Sequence, residues 1–250
     1  LKLYNLGFKL EGTNSTAKDY ICGSIKSMYF DHHCNIIFFG TWCGLIALDI
    51  RCDTISQIKR FVHDPAINSS INGQIVVAVM KDNQGGLWIG TNTNGVSTYN
   101  YAAHKNTQIS TLIVDKRPIE ITNVNALEMD SSDNIWIGSQ FGLYSYHPNT
   151  NRSEIVSINV HPKYSLNPNM IQCLYYDQET SNLYIGPWGA PMEIMNTYTH
   201  KFKPQILDFN KNTAPLYKNY FNSFILKAPD DFIFVGNYGS GLIYYQYKNN

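Results

Sequence analysis

Ile135-Trp136-Ile137-Gly138 is a short apolar strand that stops on a glycine, and the chain writes it five times. Its sisters are Ile36-Ile37-Phe38-Phe39-Gly40, Leu87-Trp88-Ile89-Gly90, Leu183-Tyr184-Ile185-Gly186 and Phe232-Ile233-Phe234-Val235-Gly236. The terminal glycines lie 50, 48, 48 and 50 residues apart, a period that fills the 250-residue chain. A repeat of that length with several short strands per unit predicts an all-β fold, a β-propeller of about five four-stranded antiparallel blades.

Working outward from the Trp-Ile-Gly strand fixes the rest of each unit. Ahead of it stands a strand A such as 124–129 and a polar turn, Asp130-Ser131-Ser132-Asp133-Asn134. The turn aspartate recurs as Asp31, Asp82, Asp130 and Asp177. A carboxylate there can accept backbone N–H groups two residues on and pin the reversal, so these aspartates are read as structural rather than catalytic. After the strand-B glycine comes a second glycine at Gly44, Gly95, Gly142 and Gly241, which suits a tight turn into strand C. The fourth unit breaks the pattern with Pro187-Trp188-Gly189-Ala190-Pro191-Met192. Strand D is read at 57–62, 108–114, 154–160 and 202–208.

The repeats run approximately over 21–62, 71–114, 122–160, 169–208 and 220–247, and the regular period argues for a single domain over 1–250. The fifth unit ends before a fourth strand. Residues 1–10 are therefore expected as the closing strand beside 242–247, which would remove an open sheet edge. The absence of an initial methionine or signal peptide points to a processed chain or a fragment.

Lys plus Arg and Asp plus Glu both number 19, so the net charge is zero, and nothing directs this domain to nucleic acid or an anionic membrane. Aromatics make up 14%, with 18 Tyr and 12 Phe, a composition that suits pleated, half-buried surfaces. No apolar run approaches the roughly 20 residues of a membrane-spanning helix. Four of the five cysteines (Cys22, Cys34, Cys43, Cys52) fall in the first repeat and are read as free thiols. If any disulfide forms, strand direction puts Cys22 with Cys43 and Cys34 with Cys52. Cys173, in strand A of the fourth unit, is expected to be a buried free thiol.

The motif Asp-x-x-x-x-Leu-Trp-Ile-Gly-Thr followed by a Gly-Val or Gly-Leu strand, clearest at 82–99 and 130–146, resembles the two-component regulator propeller repeat. The resemblance covers essentially the whole chain. It is similar to the periplasmic sensor region of Bacteroidetes hybrid two-component system histidine kinases, and implies an extracytoplasmic, non-catalytic sensor of oligosaccharides. It further implies a periplasmic location, a homodimer in the intact sensor, and an oligosaccharide or a neighbouring sensor domain as partner. Family propellers have seven blades, so five repeats imply either a closed five-blade ring or a fragment of a seven-bladed propeller. The kinase and DNA-binding parts of such sensors are not in this chain.

No nucleophile elbow, phosphate loop, HExxH or paired CxxC occurs, and nothing calls for a cofactor. His32-His33-Cys34 sits on a turn where adjacent side chains rarely converge on one metal ion. Trp88 and Trp136 repeat in register with Phe38 or Phe39, Tyr184 and Phe234, as packing residues do. Trp42 and Trp188 differ. They stand two residues after the strand-B glycine, where the sister positions are Asn92, Gln140 and Tyr238. Trp, Asn, Gln, Trp and Tyr can stack on sugar faces or hydrogen-bond hydroxyls, so these five are the expected ligand-binding residues; hydrophobic loop plugs are the bland alternative. Strand directions put these B–C loops on one face with the D–A loops, which carry Arg117, Tyr164, Asn167, Asn169, Tyr217 and Tyr220. Two other readings remain. Five-bladed propellers also host glycoside-active enzymes, which need two carboxylates flanking the sugar, and Glu128 and Glu193 show no such pairing in sequence. A protein-interaction scaffold is the third.

Overall fold

The computed structural model describes residues 24–50, 56–100, 105–156, 170–203, 222–228, 232–239 and 241–246. Among them every regular element is a β-strand. Five of the six sheets are the blades of a β-propeller, as the period predicts. Two compact units divide the chain: 1–111 with 120–124, and 112–119 with 125–250.

The first unit holds two four-stranded antiparallel blades, β1 (Ile25–Asp31), β2 (Ile36–Thr41), β3 (Gly44–Asp49) and β4 (Ser56–Phe61), then β5 (Val76–Lys81), β6 (Leu87–Thr91), β7 (Val96–Asn100) and β8 (Lys105–Ile109). Here the sequence reading needs one correction. Strand D of the second blade was expected at 108–114, but the ladder with β7 pairs Asn100 with Lys105 and ends at Val96 with Ile109. The residues beyond it form a separate hairpin, β9 (Thr111–Val114) and β10 (Arg117–Glu120), and Arg117 lies in its second strand rather than in a loop. The turn between them uses Asp115 and Lys116 at positive φ, 48° and 65°.

The second unit continues with β11 (Val124–Met129, its first residue excepted), β12 (Ile135–Ser139), β13 (Gly142–His147) and β14 (Arg152–Val156). Next come β15 (Ile171–Asp177), β16 (Asn182–Pro187) and β17 (Glu193–Asn196), and last β18 (Asn222–Ala228), β19 (Phe232–Asn237) and β20 (Gly241–Gln246). The fourth strand of the β15–β17 blade is reduced to one bridge, Met195 to Phe202, within the described residues. The expected closing strand at 1–10 lies outside them.

Blades hold together by apolar faces. Within the first unit, Phe38, Leu45 and Ala47 of one blade bury against Val76, Leu87 and Ile89 of the next. In the second, Ala126 and Trp136 meet Ile171, Leu174 and Ile185, while Cys173 and Tyr184 meet Ile225, Ile233 and Val235. Close approach explains the glycine that marks the period. A Cβ on Gly40 would stand 2.9 Å from Val76 Cγ1 and one on Gly138 2.7 Å from Ile171 Cγ2, so any larger residue would push the next blade away.

The turn aspartates work as the sequence predicts. Asp130 accepts the N–H groups of Ser132 (2.9 Å) and Asn134 (3.0 Å), and Asp82 those of Gln84 (3.0 Å) and Gly86 (2.7 Å). The indoles of Trp136 and Trp88 donate to the same carboxylates at 2.9 and 2.7 Å. Phe38 and Tyr184 replace tryptophan in the first and fourth blades, and there a lysine from the following blade supplies the donor. Lys81 reaches Asp31, and Lys227 reaches Asp177 at 3.0 Å. Burial pushes the Asp31 carboxyl up, but Lys81 and the N–H groups of His33 and Cys34 outweigh it and hold it below the usual carboxylate range.

Replacing Lys81 with Met should cost about 2 kcal/mol at neutral pH by leaving Asp31, 3% exposed, without its cation. Because the folded Asp31 pKa is depressed, that contribution is present above the ordinary carboxylate pKa and is lost as pH falls through the folded one. Chemical denaturation at pH 7 and pH 2 measures it. A gap of equal size at both would exclude the pair as its source.

Candidate functional site

In the first three blades the end where B turns into C is built by a hydroxyl that the sequence reading passed over. Thr41, Thr91 and Ser139 follow the strand-B glycines and are almost completely buried, at 0, 0 and 1% exposure. Each donates across the turn to the strand-C glycine carbonyl, Gly44 at 2.9 Å, Gly95 at 3.1 Å and Gly142 at 3.2 Å. Each also accepts a turn N–H, from Cys43 (3.1 Å), Asn94 (3.4 Å) and Phe141 (2.9 Å). The hydroxyl and the glycine close the turn between them.

The second residue after each strand-B glycine is Trp42, Asn92, Gln140, Trp188 or Tyr238. Trp42 and Tyr238 are exposed, at 42 and 74%, and the other three are half-buried. Trp42 and Asn92 belong to the first unit, and Gln140, Trp188 and Tyr238 to the second. Their equivalence is positional: each occupies the same step of its own blade, with its own local partners. Lys26 Nζ stands 5.0 Å above the Trp42 ring. The Asn92 N–H donates to Ile75 O at 3.1 Å and the Trp188 N–H to Met170 O at 2.8 Å, so these turns abut the segments entering strand A. The irregular fourth turn is rigid, because Asn222 Nδ2 donates to Pro187 O (2.7 Å) and Ala190 O (2.9 Å).

A second set of residues at this end was not found from sequence. Pairing of strands A and B slips at Lys26, Val77, Gln172 and Ser223, in four blades. A bulge leaves one residue out of the ladder and re-aims its side chain. An extra residue in strand A relative to strand B shows only in the register, which is why periodicity alone could not reveal it. Tyr164, Asn167, Asn169, Tyr217 and Tyr220 of the D–A loops lie outside the described residues.

The cysteines depart from the expectation of free thiols. Cys43 is disulfide-bonded, with its partner outside the described residues. Cys34 is free but exposed, filling no space. Cys173 is the buried free thiol expected, its pKa pushed by burial up to about 12. His32 packs edge-on against Phe30, with ring centres 4.3 Å apart, and the N–H groups of His33 and Cys34 donate to Asp31. Among the described residues no group of three acidic, histidine or cysteine side chains is placed to hold a metal ion.

Glu128 and Glu193 stand in different blades, on β11 and β17. Burial pushes the Glu128 carboxyl up to about 8, against the backbone N–H groups of Met129 and Tyr176, which favour its charged form. Glu193 is buried at 5% exposure. The first unit also holds a cavity of about 220 Å³ with an apolar floor of Leu45, Ile71, Leu87 and Ile89, beside Tyr99 and Asn106.

Against known proteins, residues 69–93 match the family model described as two component regulator propeller. Among solved structures, the chain is similar to the extracellular domain of a hybrid two-component system from B. thetaiotaomicron, with a TM-score of 0.67 at 16% identity. That likeness covers 91% of this chain and 28% of the other. A second such domain from the same organism gives a TM-score of 0.54 at 17% identity, over 94% of this chain and 35% of the other. The chain thus spans about a third of the length of these structures, and the likeness is one of fold. A search of curated protein sequences returned no match.

Proposed function

We propose that this chain is a non-catalytic, extracytoplasmic ligand-binding propeller of a two-component signalling protein, taking a glycan fragment at the B–C turn end of its blades. One observation carries the reading. In the first three blades a buried hydroxyl and a glycine already close this turn, yet the second residue after the strand-B glycine is Trp, Asn or Gln there, and Trp or Tyr in the last two blades, rather than a small or uniform turn residue. Side chains of this kind stack on sugar rings or bond their hydroxyls. The disulfide at Cys43 fits an oxidising compartment, here the periplasm. Signalling would follow by population shift: a glycan, or a neighbouring sensor domain, that favours one arrangement of the sensor homodimer biases the output across the membrane.

Calorimetric titration with a panel of oligosaccharides tests this. Trp188→Ala should weaken binding about tenfold, the loss of roughly 1.4 kcal/mol of stacking. Equal affinity in the variant, or no binding across the panel, would remove this face as the site.

A further inference from the structure

The B–C turn of the first blade is unlike its sisters in the charge around it. Its exposed Trp42 is overhung by Lys26, whose Nζ lies 5.0 Å from the ring centre. Lys26 is the residue that the bulge in β1 leaves out of the ladder, and it is exposed. At that bulge three other blades carry Val77, Gln172 and Ser223, none of them charged. Arg60, from β4, reaches the same turn and donates through Nε (3.1 Å) and Nη2 (2.9 Å) to the carbonyl of Cys43. Neither Lys26 nor Arg60 forms an ion pair with a carboxylate among the described residues. The other lysines that meet this fold's carboxylates, Lys81 and Lys227, are mostly buried and satisfied by Asp31 and Asp177.

One cation overhangs the aromatic ring and a second is bonded to the same turn, which is fixed. The Thr41 hydroxyl closes it, Arg60 ties its carbonyl, and Cys43 is covalently anchored. A rigid turn presents a ligand with a preset geometry and loses little freedom on binding. An aromatic face takes the C–H side of a sugar ring, while a neighbouring ammonium selects a substituent of opposite charge.

We infer that the Trp42 turn with Lys26 and Arg60 is a subsite for a negatively charged sugar, one bearing a carboxylate or a sulfate. This rests on the glycan-binding reading above and narrows its ligand to acidic glycans. The ring lies against Trp42, the anionic group takes the Lys26 ammonium, and Arg60, bonded to the Cys43 carbonyl, adds a positive field at the same turn.

The test uses the full chain and three size-matched sets of oligosaccharides, neutral, uronate-bearing and sulfated, in calorimetric titrations at two salt concentrations. At least one charged set should bind about tenfold more tightly than the neutral set at low salt and lose much of that advantage at high salt. Which set gains distinguishes carboxylate from sulfate. Lys26→Gln should lower affinity for the charged set about fivefold while leaving neutral glycans and the melting temperature unchanged. Trp42→Ala should weaken the charged set as well. Neutral sugars binding as tightly as charged ones, with dependence on Trp188, would overturn this inference and leave the glycan-binding reading standing. An unchanged affinity of Lys26→Gln for the charged set would also overturn it. Failure of all three sets would overturn both.

Discussion

Trp136→Ala should lower stability by about 3–5 kcal/mol, while Trp188→Ala should leave the melting temperature close to that of the parent chain. The difference follows from where each indole sits. Trp136 is 0% exposed, packs with Ala126, Ile171 and Ile185 across a blade junction, and gives its N–H to Asp130. Its removal opens a large cavity in an interior that cannot collapse, because β12 is paired with β13 along its whole length. Trp188 is half-buried on a turn whose shape is set by backbone bonds, from its own N–H to Met170 O and from Asn222 to the carbonyls of Pro187 and Ala190. Those bonds do not involve its side chain. Denaturant titration of both variants separates the cases, and equal destabilisation would mean that the turn residues are packing residues after all. Trp136→Phe divides the larger effect: it keeps most of the packing and should cost only about 1–2 kcal/mol, the indole hydrogen bond to Asp130.

Much of this architecture is legible in the chain because a repeat repeats its causes. Gly40 and Gly138 mark the period, and the structure gives the reason in the first residue of the next blade, Val76 or Ile171, which rests where a side chain would be. Asp82 and Asp130 declare the turns, and their carboxylates do accept the N–H groups two residues on. The exchange of Trp for Lys as the aspartate's extra donor was also present in the sequence. Lys81 and Lys227 stand 50 residues beyond Asp31 and Asp177, one period away, in two of the three units whose strand B lacks a tryptophan. That signal lies between repeats, so reading units one at a time missed it.

The site was legible as positions and not as contacts. Trp42, Asn92, Gln140, Trp188 and Tyr238 are at equivalent steps, as spacing requires, but spacing could not show that Thr41, Thr91 and Ser139 close the first three of these turns. The recurring hydroxyl after the glycine was the available sign. Nor could it show Lys26 over Trp42, because a bulge shifts one strand by one residue without altering the period. The second blade's strand D failed for a related reason: Thr111–Val114 has the alternation of a strand and is one, but it pairs with Arg117–Glu120 and not with β7. Alternation reports a pleated segment. It does not name the partner.

Glu128→Gln should stabilise the chain above pH 8 and have little effect near pH 4. Glu128 stands two residues before the turn aspartate, where the sister residues are Tyr29, Met80 and Tyr175, so an acid occupies a position that elsewhere packs the blade face. Burial pushes its carboxyl up to about 8, despite N–H groups from Met129 and Tyr176 that favour the charge. An acid whose folded pKa is raised holds its proton more tightly when folded, so its favourable contribution is complete below the unfolded pKa and disappears as pH rises through the folded one. From the ordinary value of 4.5 to about 8, the change amounts to an upper figure on the order of 5 kcal/mol. The parent chain should therefore lose stability between pH 5 and pH 8 by an amount the glutamine variant does not lose, and the two curves should meet at the acid end. Glutamine keeps a carbonyl oxygen for one of the two N–H donors, so the comparison isolates the charge. If the curves instead run parallel from pH 4 to pH 9, the carboxyl is ionised within the fold, and Glu128 would return to consideration as one of the two acids that a glycoside-active propeller requires.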